Sequence, residues 1–166
     1  MIRSFDGTTP QIADSAYVDE AAVVIGDVVI EAEASVWPNA TLRGDSDRIV
    51  VGAGANVQDN AVLHEDAVLE PETTVGHSGI VHAATVAEGA LVGMNAVVLD
   101  DARIGEDAIV GAGAVVTEGT EVPTETLVTG IPAASKAELD EPRSATTAEH
   151  YVELANRYEE TSRRIE

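Results

Sequence analysis

The chain has 166 residues, enough for one domain with a substantial core, and sets 30 acidic against 9 basic residues for a formal charge of −21. That balance argues against nucleic acid or an anionic membrane as partner, and the lack of cysteine excludes disulfides and thiolate metal sites. With one Trp and one Phe, the interior has to be filled largely by Ala, Val and Gly.

The opening residues, MIRSFDGTTP, contain no apolar signal core, and no run approaches the length of a membrane span, so a soluble, cytoplasmic protein is expected. Residues 1–11 read as a lead-in. From Ile12 an aliphatic residue recurs every six positions through Val18, Val24, Ile30 and Val36 to Leu42. After a nine-residue step, which leaves a protruding loop expected near GDSDR, the series resumes at Val51, Val57, Leu63, Leu69, Val75 and Val81. A five-residue step then leads to Val86, Val92, Val98, Ile104, Val110, Val116, Val122 and Val128. Four residues after nearly every one comes a small residue or Val, with Pro132 as the exception.

A period of six does not match an amphipathic helix. It matches an all-β solenoid in which each hexad is a short strand and a corner, and three hexads close one triangular coil. Residues 12–132 therefore predict about seven coils joined as parallel strands roughly 4.8 Å apart. GIPAAS ends the pattern and 133–144 reads as a linker. Residues 145–166 predict a C-terminal α-helix. It carries a capping pattern at Thr146 and Glu149 and a stripe of Tyr151, Leu154, Ala155, Tyr158, Ser162 and Ile165. The helix is expected outside the prism or across a subunit boundary, with His150 in solvent.

The acids are scattered through this pattern instead of gathered in a tail, which disfavours disorder. A salt-rich cytoplasm, where dense carboxylates hydrate the surface and screening weakens their repulsion, is the expected setting. Lys136 is the single lysine.

The coil also orders the histidines. His64 and His82 are one coil of 18 residues apart, each directly after an inward residue, so they are expected to stack outward on adjacent rungs. Two imidazoles at that spacing can tilt onto one metal ion. His77 belongs near another corner and cannot easily reach that ion within one chain, whereas in a threefold assembly it can face the neighbour's His64/His82 wall. The competing reading is a solvated ladder of like residues.

NVQDNAVLH (56–64), RGD (43–45) and GHSGIVH (76–82) together resemble the gamma-class carbonic anhydrases, above all the short members of that family. The resemblance implies a left-handed parallel β-helix of hexapeptide repeats and a homotrimer with metal sites between subunits. It implies His64 and His82 of one chain and His77 of the next as ligands. Zinc is the implied metal, with Fe(II) or Co(II) as alternatives that also accept imidazole. Gln58 would lie beside the solvent on the metal, with Asn56 a further orienting residue. Arg43, Asp45 and Asp59 would belong to a charged network at the subunit interface near the site. The bland counterparts are a trimer-stabilising ion pair for the charged residues and corner hydrogen bonding for Gln58 and Asn56.

The implied reaction is reversible hydration of CO2 to bicarbonate, because an open divalent ion brings hydroxide within reach of neutral pH. The chain departs from the longer members, which carry an acidic loop between the first two ligand histidines. Only 12 residues separate His64 from His77, all used by the repeat, and Ser46 stands where those members have a glutamate. Glu65, Asp66 and Glu72 are nearby acids, read as surface residues. Slow turnover is therefore expected, and a non-catalytic trimeric metal-binding or scaffold protein is an alternative. So is a hexapeptide-repeat acyltransferase, which typically uses one histidine and coenzyme A in the groove between subunits.

If salt screening holds this acidic surface together, the thermal unfolding midpoint rises from low to molar KCl. A midpoint that stays level or falls removes the high-salt reading.

Overall fold

The computed structural model describes residues 1–140 and 145–165, with the side chains of Ala145 and Thr146 outside that description. The chain winds through about seven coils and lays one short strand on each of three walls per coil. The first wall stacks Tyr17–Val18, Ser35–Val36, Asn56–Val57, Thr74–Val75, Leu91–Val92, Ile109–Val110 and Thr126–Thr129. The second carries Val62–His64, Ile80–His82, Val97–Val98 and Val115–Val116. The third carries Gln11–Ile12, Val68–Leu69, Thr85–Val86, Arg103–Ile104 and Glu121–Val122. Two longer strands, Val23–Ile30 and Thr41–Val51, bend through the corner between the second and third walls and serve both.

The aliphatic ladder is the core. Every ladder position from Val24 to Val128 is no more than 5% exposed, and Ile12 and Val18 are half-buried at the open end. The alanines four residues further on, such as Ala61, Ala96 and Ala114, are 0% exposed because the chain must turn tightly around a narrow interior. Many corners need a left-handed residue. Asn39, Asn60, Ser78 and Asn95 supply it in one column with φ between 56° and 61°, a conformation that short polar side chains tolerate.

The GDSDR insertion protrudes without leaving its strand. Gly26 pairs with Gly44 and Val28 with Ile49, so residues 45–48 bulge out opposite Asp27, whose carboxylate accepts a 3.1 Å hydrogen bond from Arg48 Nε. Both glycines are required there. A Cβ on Gly44 would lie 2.4 Å from the Asp27 carbonyl oxygen, and one on Gly26 would lie 2.2 Å from that of Gly44.

At the far end, within the stretch expected as linker, Ala134–Glu138 folds back as an antiparallel strand on Thr126–Thr129. Residues 141–144, the last four of that stretch, lie outside the described residues. The C-terminal helix, α1, spans Ala145–Thr161 and packs on the outside of its own coil against Tyr17–Val18 and Ser35–Val36. Its stripe is shorter than expected. Ser162 and Ile165 lie beyond the helix, Ile165 is 93% exposed, and Ala148 and Ala155 form the buried line. Trp37 decides that placement: it is 3% exposed, and its ring centre lies 5.2–5.3 Å from those of Tyr17, Tyr151 and Tyr158. Thr146 of the capping pattern is outside the described side chains, and His150 is exposed.

Trp37→Ala removes the shared neighbour of three tyrosines and is expected to destabilise helix docking by about 3–5 kcal/mol. The helical circular-dichroism signal then melts below the β signal. Coincident transitions at the wild-type midpoint would show that Trp37 does not hold the helix.

Candidate metal centre

Backbone register on the second wall puts three polar residues in one outward column. Arg43 pairs with His64, and His64 with His82, each directly after a fully buried aliphatic residue: Leu42, Leu63 and Val81. The inward residues hold the core, so the outward ones are aligned by it. The two imidazole centres lie 5.1 Å apart, and His64 Nδ1 is 3.2 Å from His82 Nε2. Two nitrogens on one tetrahedral ion with bonds of ~2.0–2.1 Å are about 3.3 Å apart. The pair therefore has the separation that a shared ion requires.

The outer ring nitrogens support the same reading. His82 Nδ1 lies 2.7 Å from Asp100 Oδ1, and His64 Nε2 lies 3.3 Å from Asp45 Oδ1. An ionised carboxylate only accepts, so each outer nitrogen carries a proton, and in a neutral ring the inner nitrogen then presents a lone pair. Arg43 Nη2, which can only donate, sits 3.5 Å from His64 Nδ1 and agrees with that assignment. At 3.2 Å the two inner nitrogens can share a proton as a hydrogen bond, and with both rings neutral at those atoms they can share a metal ion. Within one chain Glu65 joins the pair, its carboxylate and the two ring nitrogens lying within 4.8 Å of one another. Glu65 was expected as a surface acid; a left-handed corner, φ 51°, sets it beside the histidines instead.

The remaining predicted residues gather elsewhere. His77 follows the first-wall strand Thr74–Val75, half exposed, and its Nδ1 lies 2.9 Å from Asp59 Oδ2. Gln58, 5% exposed, donates its amide to Asn56 Oδ1 at 3.1 Å, and the fully buried Asn56 donates to Thr74 Oγ1 at 2.8 Å. Asn56 thus fixes Gln58, whose carbonyl remains to accept. Gln58 and His77 line an open groove of about 420 Å³ together with Leu91, Met94, Val110 and Tyr151. Burial, and then the nearby Asp59 charge, push the Tyr151 hydroxyl above its ordinary pKa, which puts the start of α1 beside the Asp59–His77 pair.

The eight predicted residues therefore divide into two groups in one chain: Arg43, Asp45, His64 and His82 on the second wall, and Asn56, Gln58, Asp59 and His77 by the groove. Asp59 stands apart from Arg43 and Asp45, since it belongs to the corner that follows Asn56–Val57. Asp100 was not anticipated, because the coil after His82 is one residue shorter and stacks Leu99 over it, leaving Asp100 to reach His82 from the corner.

A family description, bacterial transferase hexapeptide (six repeats), matches residues 83–118. A solved hexapeptide transferase family protein from Anaplasma phagocytophilum superposes with a TM-score of 0.91 at 37% identity, covering 93% of this chain and 96% of that one. The chain belongs to the hexapeptide-repeat family, and its coil is the left-handed β-helix. Among curated relatives, a carbonic anhydrase of Geobacillus kaustophilus is 44% identical over 90 residues, 52% of this chain and 50% of the relative. The carnitine operon protein CaiE of a Proteus species is 39% identical over 89 residues, 51% of this chain and 45% of the relative. The matched segment thus spans about half the length of each curated relative. Among the described residues, no helix is long and apolar enough to cross a membrane.

Arg43 donates to Asp45 at 2.6 Å and, against the opposing effect of desolvation and with a smaller contribution from His64, holds that carboxyl below the usual range. A carboxylate so shifted favours the folded state above its unfolded pKa, and that contribution fades as pH falls through the lowered value. Arg43→Met is expected to raise the Asp45 midpoint toward the ordinary carboxylate range in a carboxyl-carbon NMR titration. A midpoint left unmoved would mean that Arg43 is not what ionises it.

Proposed function

We propose that this chain is the subunit of a homotrimeric, metal-dependent enzyme that hydrates CO2 to bicarbonate, working in a salt-rich cytoplasm. Each site takes His64 and His82 from one subunit and the equivalent of His77 from the next. The observation that carries this reading is that all three histidines have one ring nitrogen against an aspartate, while the other nitrogens of His64 and His82 face each other at 3.2 Å. The two groups of site residues on separate walls fit a centre completed between copies. The likeness to a carbonic anhydrase supports the substrate class.

Three neutral imidazoles favour zinc, with Fe(II) or Co(II) also compatible. When bound, the ion supplies Lewis acidity that makes hydroxide accessible near neutral pH. The chain's own residues do the rest. Gln58, held by Asn56, accepts a hydrogen bond from the attacking oxygen and turns its lone pair toward the carbon of CO2. The Leu91, Met94 and Val110 side of the groove suits a small apolar substrate. Water must lose one proton to give that hydroxide before the carbon–oxygen bond forms, and the Glu65 carboxylate beside His64 would be placed to accept it. The Arg43–Asp45 pair keeps His64 in its orientation.

Two observations favour second readings. The lack of an acidic loop between His64 and His77 fits a metal-binding scaffold without turnover, and the likeness to a hexapeptide transferase fits acyl transfer. Metal analysis after chelator-free purification separates them, with about one ion per chain expected here. His64→Ala and His77→Ala should each lose the ion, and mixing the two variants should restore it at some interfaces. Stopped-flow CO2 hydration at high salt then distinguishes enzyme from scaffold. Unchanged metal content in either variant would sink the ligand assignment, and a metal-free wild type would favour acyl transfer.

A further inference from the structure

We infer that Asp100 is a positioning residue that sets the tautomer of His82, and so decides whether this imidazole can serve as a metal ligand. The inference rests on the metal-site reading above, but its evidence is separate. Asp100 Oδ1 lies 2.7 Å from His82 Nδ1, the shortest of the three histidine–aspartate contacts. An ionised carboxylate cannot donate, so Nδ1 keeps its proton and Nε2 keeps its lone pair toward His64. Left to itself, a neutral histidine side chain favours the opposite tautomer, with the proton on Nε2, which would block the inner position.

The fold holds Asp100 in place for this task. Its carbonyl accepts from Gly119 N at 2.8 Å in the coil above, while Asp101 N donates to Ala83 O at 2.8 Å in the coil below. Asp101 takes the left-handed corner conformation, φ 58°. The carboxylate thus starts from a backbone pinned on both sides. Register places Val98 over Val81, so Leu99 continues the strand above His82 and Asp100 reaches it from the corner one residue on. A purely structural role is a poor account of the contact. His82 and Asp100 side chains are 32% and 44% exposed, and ion pairs in such surroundings add little to stability.

The test pairs zinc affinity, measured by competition with a chelator, with nitrogen-15 NMR of the metal-free protein at a pH well above the ordinary imidazole range. Asp100→Ala is expected to bind zinc about 10–100-fold more weakly than wild type and to move the His82 proton from Nδ1 to Nε2. Its thermal midpoint without metal should match wild type, and Asp100→Glu should recover part of the affinity. His82→Ala is the control that removes the ligand itself. If wild type binds zinc and Asp100→Ala binds it equally well, the role of Asp100 is overturned while the metal site stands. If wild type binds no zinc, the metal reading fails, and the NMR arm still decides. Loss of the Nδ1 proton signal in Asp100→Ala supports the inference, and an unchanged His82 tautomer overturns it.

Discussion

The candidate centre depends on vertical register between coils. Leu42, Leu63 and Val81 cannot leave the interior without exposing the core, and a slip of one residue would turn them all outward. Their outward neighbours, Arg43, His64 and His82, therefore inherit an alignment that they do not themselves stabilise. The force that fixes the two imidazoles is hydrophobic burial on the other side of the strand. Two outward, partly buried side chains are held close enough to share an ion because the wall behind them is fully packed.

Around that column, local features add what the repeat lacks. The insertion between Leu42 and Val51 bulges at residues 45–48, and that places Asp45 against Arg43 and His64. Close contact between Gly26 and Gly44 makes the bulge possible, because no side chain fits where these two backbones meet. A surface this rich in carboxylates would ordinarily leave most of them in water. Asp45, Asp59 and Asp100 differ because each is matched to an imidazole, which turns surplus negative charge into a set of acceptors that hold the imidazole protons.

The helix ties the groove to the rest of the fold. Four of the five Trp, Tyr and Phe side chains, all but Phe5, join one cluster that seats α1 on its own coil. Tyr151 belongs to that cluster and also lines the groove with His77 and Gln58. Docking of the helix and the shape of the groove therefore change together.

The solenoid was legible because its signal is periodic: an aliphatic residue every six positions permits few other structures, and eighteen residues per coil stacks His64 under His82 by counting alone. Counting by coil misses Asp100, because the five-residue step after Val81 shortens that coil to 17 residues and sets Leu99 over His82, and one acid among 30 carries no mark until its neighbour is known. The helix was legible in kind and too long in extent, since its stripe continues past the point where Trp37 and the wall can cover it. The strand Ala134–Glu138 left no pattern, because all five residues are exposed and its pairing comes from the backbone alone. Sequence by itself thus determined the coil, its walls and the stacking of two histidines, since those follow from spacing and burial. Tertiary structure alone decided which carboxylate meets which imidazole, that Glu65 joins the pair, and that His77, already expected at another corner, shares a groove with Gln58. Those contacts depend on how corners, bulges and side-chain rotations close in space, and no period along the chain records them.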